Sequence, residues 1–185
     1  MNSKDRILVI GESCRDIFHY GECNRLAPEA PAPVFNPVLT SENQGMAMNV
    51  QKNLQALGAN CDIVTNSNWQ SILKERYIHL NTNQMFLRVD NGDNDIERLQ
   101  VKDLDLESYK TVVISDYCKG FLTKEDIEYI SKNHDRVFLD TKKVLGTWTK
   151  HVDFIKINFN EYQRSKDFIT TDIESKLIVT LGANG

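Results

Sequence analysis

Five short apolar runs, rich in β-branched residues, constrain this chain most strongly. They are Ile7-Leu8-Val9-Ile10, Val112-Val113-Ile114, Val137-Phe138-Leu139, Phe154-Ile155-Lys156-Ile157 and Leu177-Ile178-Val179. They mostly lack polar alternation, the pattern of strands covered on both faces. Cys61-Asp62-Ile63-Val64-Thr65 is a sixth, weaker run. Segments with helical spacing lie between them. Residues 49–57 place Val50, Leu54 and Leu57 on one stripe, closed by Gly58 as a C-cap. Thr123 reads as an N-cap, with Glu125 and Asp126 in the first turn ahead of Ile127 and Ile130. Strands alternating with helices predict an α/β fold with a doubly wound, mostly parallel sheet.

Two stretches break the alternation. Residues 17–43 contain all four prolines (Pro28, Pro31, Pro33 and Pro37) and read as edge strands and extended chain. Residues 76–90 read as a hairpin turning around Asn81–Asn83. Together they predict a small β-strand lid beside the main sheet, within a single domain spanning residues 1–185.

Composition narrows the partners. Hydrophobic residues make up 41% of the 185, enough for a core, which excludes disorder as the main state. The net charge of -4 and the lack of a basic stripe argue against nucleic acid or an anionic membrane as partner. The N-terminal apolar run, Ile7–Ile10, is too short for a signal peptide or a membrane span, which points to the cytoplasm. Cys14, Cys23, Cys61 and Cys118 show neither CxxC nor zinc-ligand spacing, and are expected as free thiols packed in the interior. His19, His79, His134 and His151 lack metal-like or triad-like spacing and receive no catalytic role.

Ligands of open parallel sheets bind beyond the carboxyl ends of the strands. The residues there are Gly11, Glu12 and Asp16; Ser115, Asp116, Tyr117 and Lys119; Asp140, Thr141, Lys142 and Lys143; Asn158 and Glu161; and Thr180 and Gly182. Small, acidic and amide groups on one edge suit a polyol, while lysines and backbone amides suit a phosphate. On spacing alone Asp140 reads as a turn former or cap, and Lys142 and Lys143 as a solvated pair. Asp16 and Asp116 stay open between capping and ligand contact. No GxGxxG follows the first strand and no GxxxxGK[ST] occurs, so neither an ordinary dinucleotide fold nor a standard P-loop is expected.

Several segments carry a resemblance. Ile10-Gly11-Glu12-Ser13-Cys14-Arg15-Asp16, Arg25-Leu26-Ala27-Pro28-Glu29-Ala30-Pro31-Ala32-Pro33-Val34, and Gln44-Gly45-Met46-Ala47-Met48-Asn49-Val50 are three of them. Phe86-Leu87-Arg88-Val89-Asp90, Ser115-Asp116-Tyr117-Cys118-Lys119-Gly120, Lys156-Ile157-Asn158 with Glu161, and Val179-Thr180-Leu181-Gly182 are the others. In order, these resemble the motifs of the ribokinase (PfkB) carbohydrate kinases, most closely those of bacterial heptose 7-phosphate kinases. The likeness runs from about residue 6 to residue 185 and implies a ribokinase-like, shortened α/β fold with a β lid. By resemblance the activity would be ATP- and Mg2+-dependent phosphorylation of heptose 7-phosphate at the anomeric hydroxyl. Asp16, Gly45 and Asn49 would hold sugar hydroxyls, and Arg88, Asp116 and Lys119 would complete the substrate pocket. Lys156, Asn158, Glu161, Thr180 and Gly182 would lie on the nucleotide side, with Glu161 reaching the metal through water. The likeness also implies a homodimer formed through the lid.

The departures are specific. Met46 replaces the second glycine of the family's Gly-Gly pair, Thr141 the proline of Asp-Pro-Lys, and Ile157 that of Lys-Pro-Asn. The family's Gly-Ala-Gly-Asp motif, which supplies the general base, does not occur in the 185 residues, so no catalytic residue is assigned. A non-catalytic sugar-phosphate-binding or dimerising module, and a kinase of the same family for another sugar, are the alternative readings.

Overall fold

The computed structural model describes residues 5–185; residues 1–4, the charged lead of the N-terminal stretch, lie outside the described residues. Every apolar run forms a strand. The main sheet contains β1 (Ile7–Gly11), β4 (Cys61–Val64), β7 (Thr111–Asp116), β8 (Val137–Thr141), β9 (Phe154–Asn158) and β10 (Leu177–Thr180). Its order is β10-β9-β8-β7-β1-β4, and every neighbouring pair is parallel. All six carboxyl ends therefore open on one edge.

One face of this sheet forms the core. Ile10, Ile114, Leu139 and Ile155 stand side by side in register and are buried. They share one cluster with Ile127 and Ile130 of α2 (Lys124–Lys132). α2 starts where the sequence places its cap. The Thr123 hydroxyl accepts from the Asp126 amide at 3.1 Å, and the Asp126 carboxylate accepts from the Thr123 amide at 2.8 Å. This reciprocal box satisfies two helix-end donors that have no partner within the helix.

The opposite face differs from expectation. α1 (Ala47–Ala56) lies over β1, β4 and β7, but the rest of that face carries exposed Phe138, Phe154 and Ile178. The two phenyl rings stack with centroids 4.8 Å apart. Among the described residues nothing covers them, so β8–β10 are buried on one side only. The reason is handedness: the steps from β7 through β8 and β9 to β10 all run the same way across the sheet, so right-handed crossovers carry every one of these connections over the α2 face. Within α1 the expected stripe is weaker than its spacing suggests, because Ala47 is buried while Leu57, just past the helix, is 84% exposed. Gly58 takes φ +84°, the left-handed residue that closes the helix as anticipated.

The lid is a second sheet, ordered β3-β2-β5-β6. Its strands are β2 (Ser13–Glu22), β3 (Asn36–Met46), β5 (Leu73–His79) and β6 (Met85–Asn91). The turn at residues 80–84 confirms the expected hairpin, whereas β2 begins four residues before the expected lid boundary. Among the cysteines Cys14 and Cys61 are buried, but Cys118 is exposed on a loop, against the expectation of interior packing. No helix among the described residues is long and apolar enough to cross a membrane.

Thr123→Ala should destabilise the chain by about 1 kcal/mol in urea unfolding, the usual worth of an N-cap. Burial pushes the Asp126 carboxyl up, but hydrogen bonds from Arg98 and Thr123 hold it below the ordinary aspartate range. Its stabilisation is therefore present above the ordinary aspartate pKa and lost as pH falls through the lower folded value. Asp126→Asn should flatten that acid limb.

Candidate functional site

The site is written in the lid register. Side chains two apart on a strand share a face, and so do paired residues across strands. Asp16 on β2 pairs with Lys74 on β5, which pairs with Asp90 on β6. Two residues further along, Phe18 pairs with Arg76, and Arg76 with Arg88. One lid face thus carries two adjacent rows, Asp16-Lys74-Asp90 and Phe18-Arg76-Arg88. It looks onto the loop after β7, and between them lies a cleft of about 300 Å3. Cys14, Asp16, Met46, Lys74, Arg76 and Arg88 line one side, and Tyr117, Lys119 and Lys142 the other.

Ion pairs brace this frame. The Asp16 carboxylate and Arg76 guanidinium pair directly. Arg88 donates two hydrogen bonds to Asp90, at 2.7 and 3.0 Å. Lys74 is buried and lies 3.2 Å from Asp90 while also contacting Asp93, which in turn meets Lys119 at 2.5 Å. The result is an alternating chain, Arg88-Asp90-Lys74-Asp93-Lys119, from the lid edge to the β7 loop. Lys142 stands 4.2 Å from the centroid of the Tyr117 ring, a cation–π contact. Five cations against three carboxylates leave the cleft with a positive excess of two. That balance suits a phosphate dianion, and Asp16 supplies an acceptor for a hydroxyl.

The titratable groups carry the same imprint. Burial lowers the Arg76 guanidinium from its ordinary value, and neighbouring Arg88 adds to the effect. The hydrogen bonds to Asp90 raise Arg88. Burial pushes the Asp93 carboxyl up, but the bonds from Lys119 and Lys74 together hold it below the usual range. Burial, followed by the charge of Asp140, raises the Tyr117 phenol.

Of the residues proposed to bind substrate, Asp16, Arg88 and Lys119 line the cleft. Gly45 sits immediately behind Asp16, where a Cβ would stand 2.8 Å from Cys14 Sγ and 3.3 Å from Asp16 Cβ. Asn49 is exposed in the first turn of α1. Asp116 lies behind the loop with its side chain fully buried. Its carboxylate accepts from the Thr141 hydroxyl and Lys143 ammonium at 2.5 Å each, and from the Cys118 amide at 3.2 Å. This corrects the solvated-pair reading of Lys143, whose side chain is only 10% exposed because it neutralises buried Asp116.

The residues expected on the nucleotide side lie at the β9 and β10 ends, where Asn158 and Thr180 are in register. Lys156 is exposed and 3.0 Å from Asp140. Asn158 caps α3 (Phe159–Ser165) in a reciprocal box with Glu161, its Oδ1 accepting from the Glu161 amide at 2.9 Å. Gly182, at φ +63°, opens the last turn. The sequence reading missed Lys74 and Arg76 as cleft residues. Alternate basic residues on a strand were the available signal, but the β2–β5 pairing that brings them to Asp16 is not visible in the sequence.

Comparison with known proteins gives the class first. Arabidopsis thaliana ribokinase, in a complex with ribose and ATP, superposes with a TM-score of 0.62 at 13% identity, over 98% of this chain and 73% of that one. A carbohydrate kinase from Agrobacterium tumefaciens gives a TM-score of 0.60 at 11% identity, over 95% and 70%. The fold is therefore ribokinase-like. In sequence, the bifunctional protein HldE of Nitratiruptor sp. is 31% identical over 202 residues, covering 92% of this chain and 44% of that protein. No protein-family model matches. In sequence the chain is thus similar to bifunctional HldE proteins, and in fold to ribokinase-type carbohydrate kinases. The chain spans less than half the length of that relative.

Met46 offers a direct test of this geometry. It stands at φ +59° and ψ -126°, in a region that favours glycine, the residue that the resembled motif has at this position. Glycine is normally less stable than alanine by about 0.5–1 kcal/mol at an ordinary helix or strand position. Here the order should reverse, with Met46→Gly more stable than Met46→Ala by about 1 kcal/mol in urea unfolding.

Proposed function

We propose that this chain is the sugar-binding, lid-bearing part of an ATP-dependent sugar kinase whose acceptor is heptose 7-phosphate, phosphorylated at the anomeric hydroxyl. The observation that carries this reading is the cleft itself, whose one lining carboxylate, Asp16, stands among Lys74, Arg76, Arg88, Lys119 and Lys142, with Asp90 and Asp93 paired to these cations behind the wall. Asp16, backed by Gly45, would take sugar hydroxyls, with Asn49 reaching in from α1. Arg88 and Lys119 would take the 7-phosphate, joined by Arg76 and Lys142. Asp116 would serve the pocket through the loop it braces.

Lys156, Asn158, Glu161, Thr180 and Gly182 would face the nucleotide. The donor set there fits Mg2+ held through water. Glu161 Oε2 is committed to the Asn158 amide at 2.7 Å, which leaves Oε1 for a metal-bound water. When bound, the metal would offset charge on the phosphates; the protein's part is to hold that water and the helix end in place. Such a kinase would work in the cytoplasm, where ATP and sugar phosphates are found. The edge strands β3 and β6 carry exposed Leu39 and Leu87, which favours pairing of lids between two copies.

Asp16→Ala should abolish the rise in melting temperature that heptose 7-phosphate gives the parent chain. An unchanged shift would remove Asp16 from the sugar site, and no shift in the parent would refute the substrate. A coupled ADP-release assay with the same sugar, and with other aldose phosphates as controls, reads activity and separates this acceptor from others.

A further inference from the structure

Glu12 is the one residue between β1, which ends at Gly11, and β2, which starts at Ser13. The chain passes from core to lid through it. It is fully buried, and no cation pairs with it among the described residues. Its two carboxylate oxygens divide the β7 loop between them. Oε2 accepts from the Tyr117 amide at 2.9 Å and Oε1 from the Lys119 amide at 2.8 Å. The intervening Cys118 amide goes to Asp116, and Cys118 itself is held at φ +60°. Three successive amides beyond the end of β7 are thus held by two buried acids. The Glu12 carbonyl also accepts from the Ala47 amide at 2.9 Å, where the chain returns from the lid into α1.

We propose that Glu12 is the positioning residue of the cleft: its carboxylate fixes the Tyr117–Lys119 loop to the core–lid crossing and so sets where the Lys119 ammonium stands. A buried carboxylate is costly unless satisfied, and two charge-assisted bonds from amides satisfy it. A glutamine at this position would keep the size but turn an amide donor towards one of the two N–H groups. An aspartate would be a methylene too short to reach both. Burial, and then the charge of Asp116, raise the Glu12 carboxyl above its ordinary value despite these bonds. The charged groups facing it are Asp116, backed by Lys143, together with the loop residues Tyr117 and Lys119.

The significance of the loop for phosphate binding rests on the proposed function, but its attachment does not, so the test has two arms. In amide hydrogen exchange on the full chain, Glu12→Gln should speed exchange at Tyr117 and Lys119 by about tenfold or more, the loss of one charged hydrogen bond. Ile114 and Leu139 should keep parent protection. Inorganic phosphate, measured by calorimetry against chloride at equal ionic strength, should bind about tenfold more weakly to the variant. Parent-level exchange at both loop amides would overturn the proposal. If the parent itself fails to bind phosphate, the exchange arm still decides on Glu12, and the cleft reading is what fails. Should Glu12→Gln not fold, the parent alone suffices. The Tyr117 and Lys119 amide proton shifts should titrate together with a midpoint above the ordinary glutamate value. Independent behaviour of the two amides would refute the shared carboxylate.

Discussion

The lid and the core sheet are joined at a crossing one residue wide, and the position of every cleft group depends on it. β1 is an interior strand, with β4 and β7 on its two sides. Its direction is therefore fixed by two parallel ladders before the chain turns out at Glu12. Gly11 is required there because a Cβ would collide with the Ser115 carbonyl oxygen. The close approach of β1 and β7 brings the loop after β7 within reach of a carboxylate at the crossing. The lid leaves and returns at adjacent points, since Glu12 and Ala47 are bonded through their backbones. A sheet attached so narrowly needs further anchoring, and the Lys74-Asp93-Lys119 chain supplies it on the far side of the cleft.

Much of this was legible in the sequence, and the limits have physical causes. Continuous β-branched runs announce buried parallel strands, and all six candidate runs became strands. Thr123 and Asp126 announce a helix start because capping is a local interaction, settled within four residues. Lys143 was misread for the opposite reason. Its partner, Asp116, is 27 residues away, and adjacent lysines look solvated until a buried acid is placed beside one of them. Arg76 went unnoticed because its role comes from strand pairing with β2, a non-local fact.

The uncovered face follows the same logic. Phe138, Phe154 and Ile178 read as interior residues because their strands are apolar on both sides. Apolar character records which surfaces are suited to burial. Which element comes to cover them is decided by connectivity, and here the successive right-handed crossovers from β7 to β10 all run over the other face. The likeness to solved ribokinase-type chains extends over nearly all of this chain and about seven-tenths of theirs, so the shared architecture includes the sheet that bears this face.

The walls of the cleft differ in stiffness. Asp16, Lys74, Arg76 and Arg88 are tied to strands and to one another, so the charges form a rigid frame. Met46 is the exception: an unbranched thioether with three rotatable bonds, partly buried against the core and lining the same space. If the cleft takes the proposed sugar phosphate, a ring substituent would be accommodated by a change of rotamer at one side chain while the electrostatic template stays still. Recognition of charge and tolerance of bulk would then fall to different residues of a single small cavity.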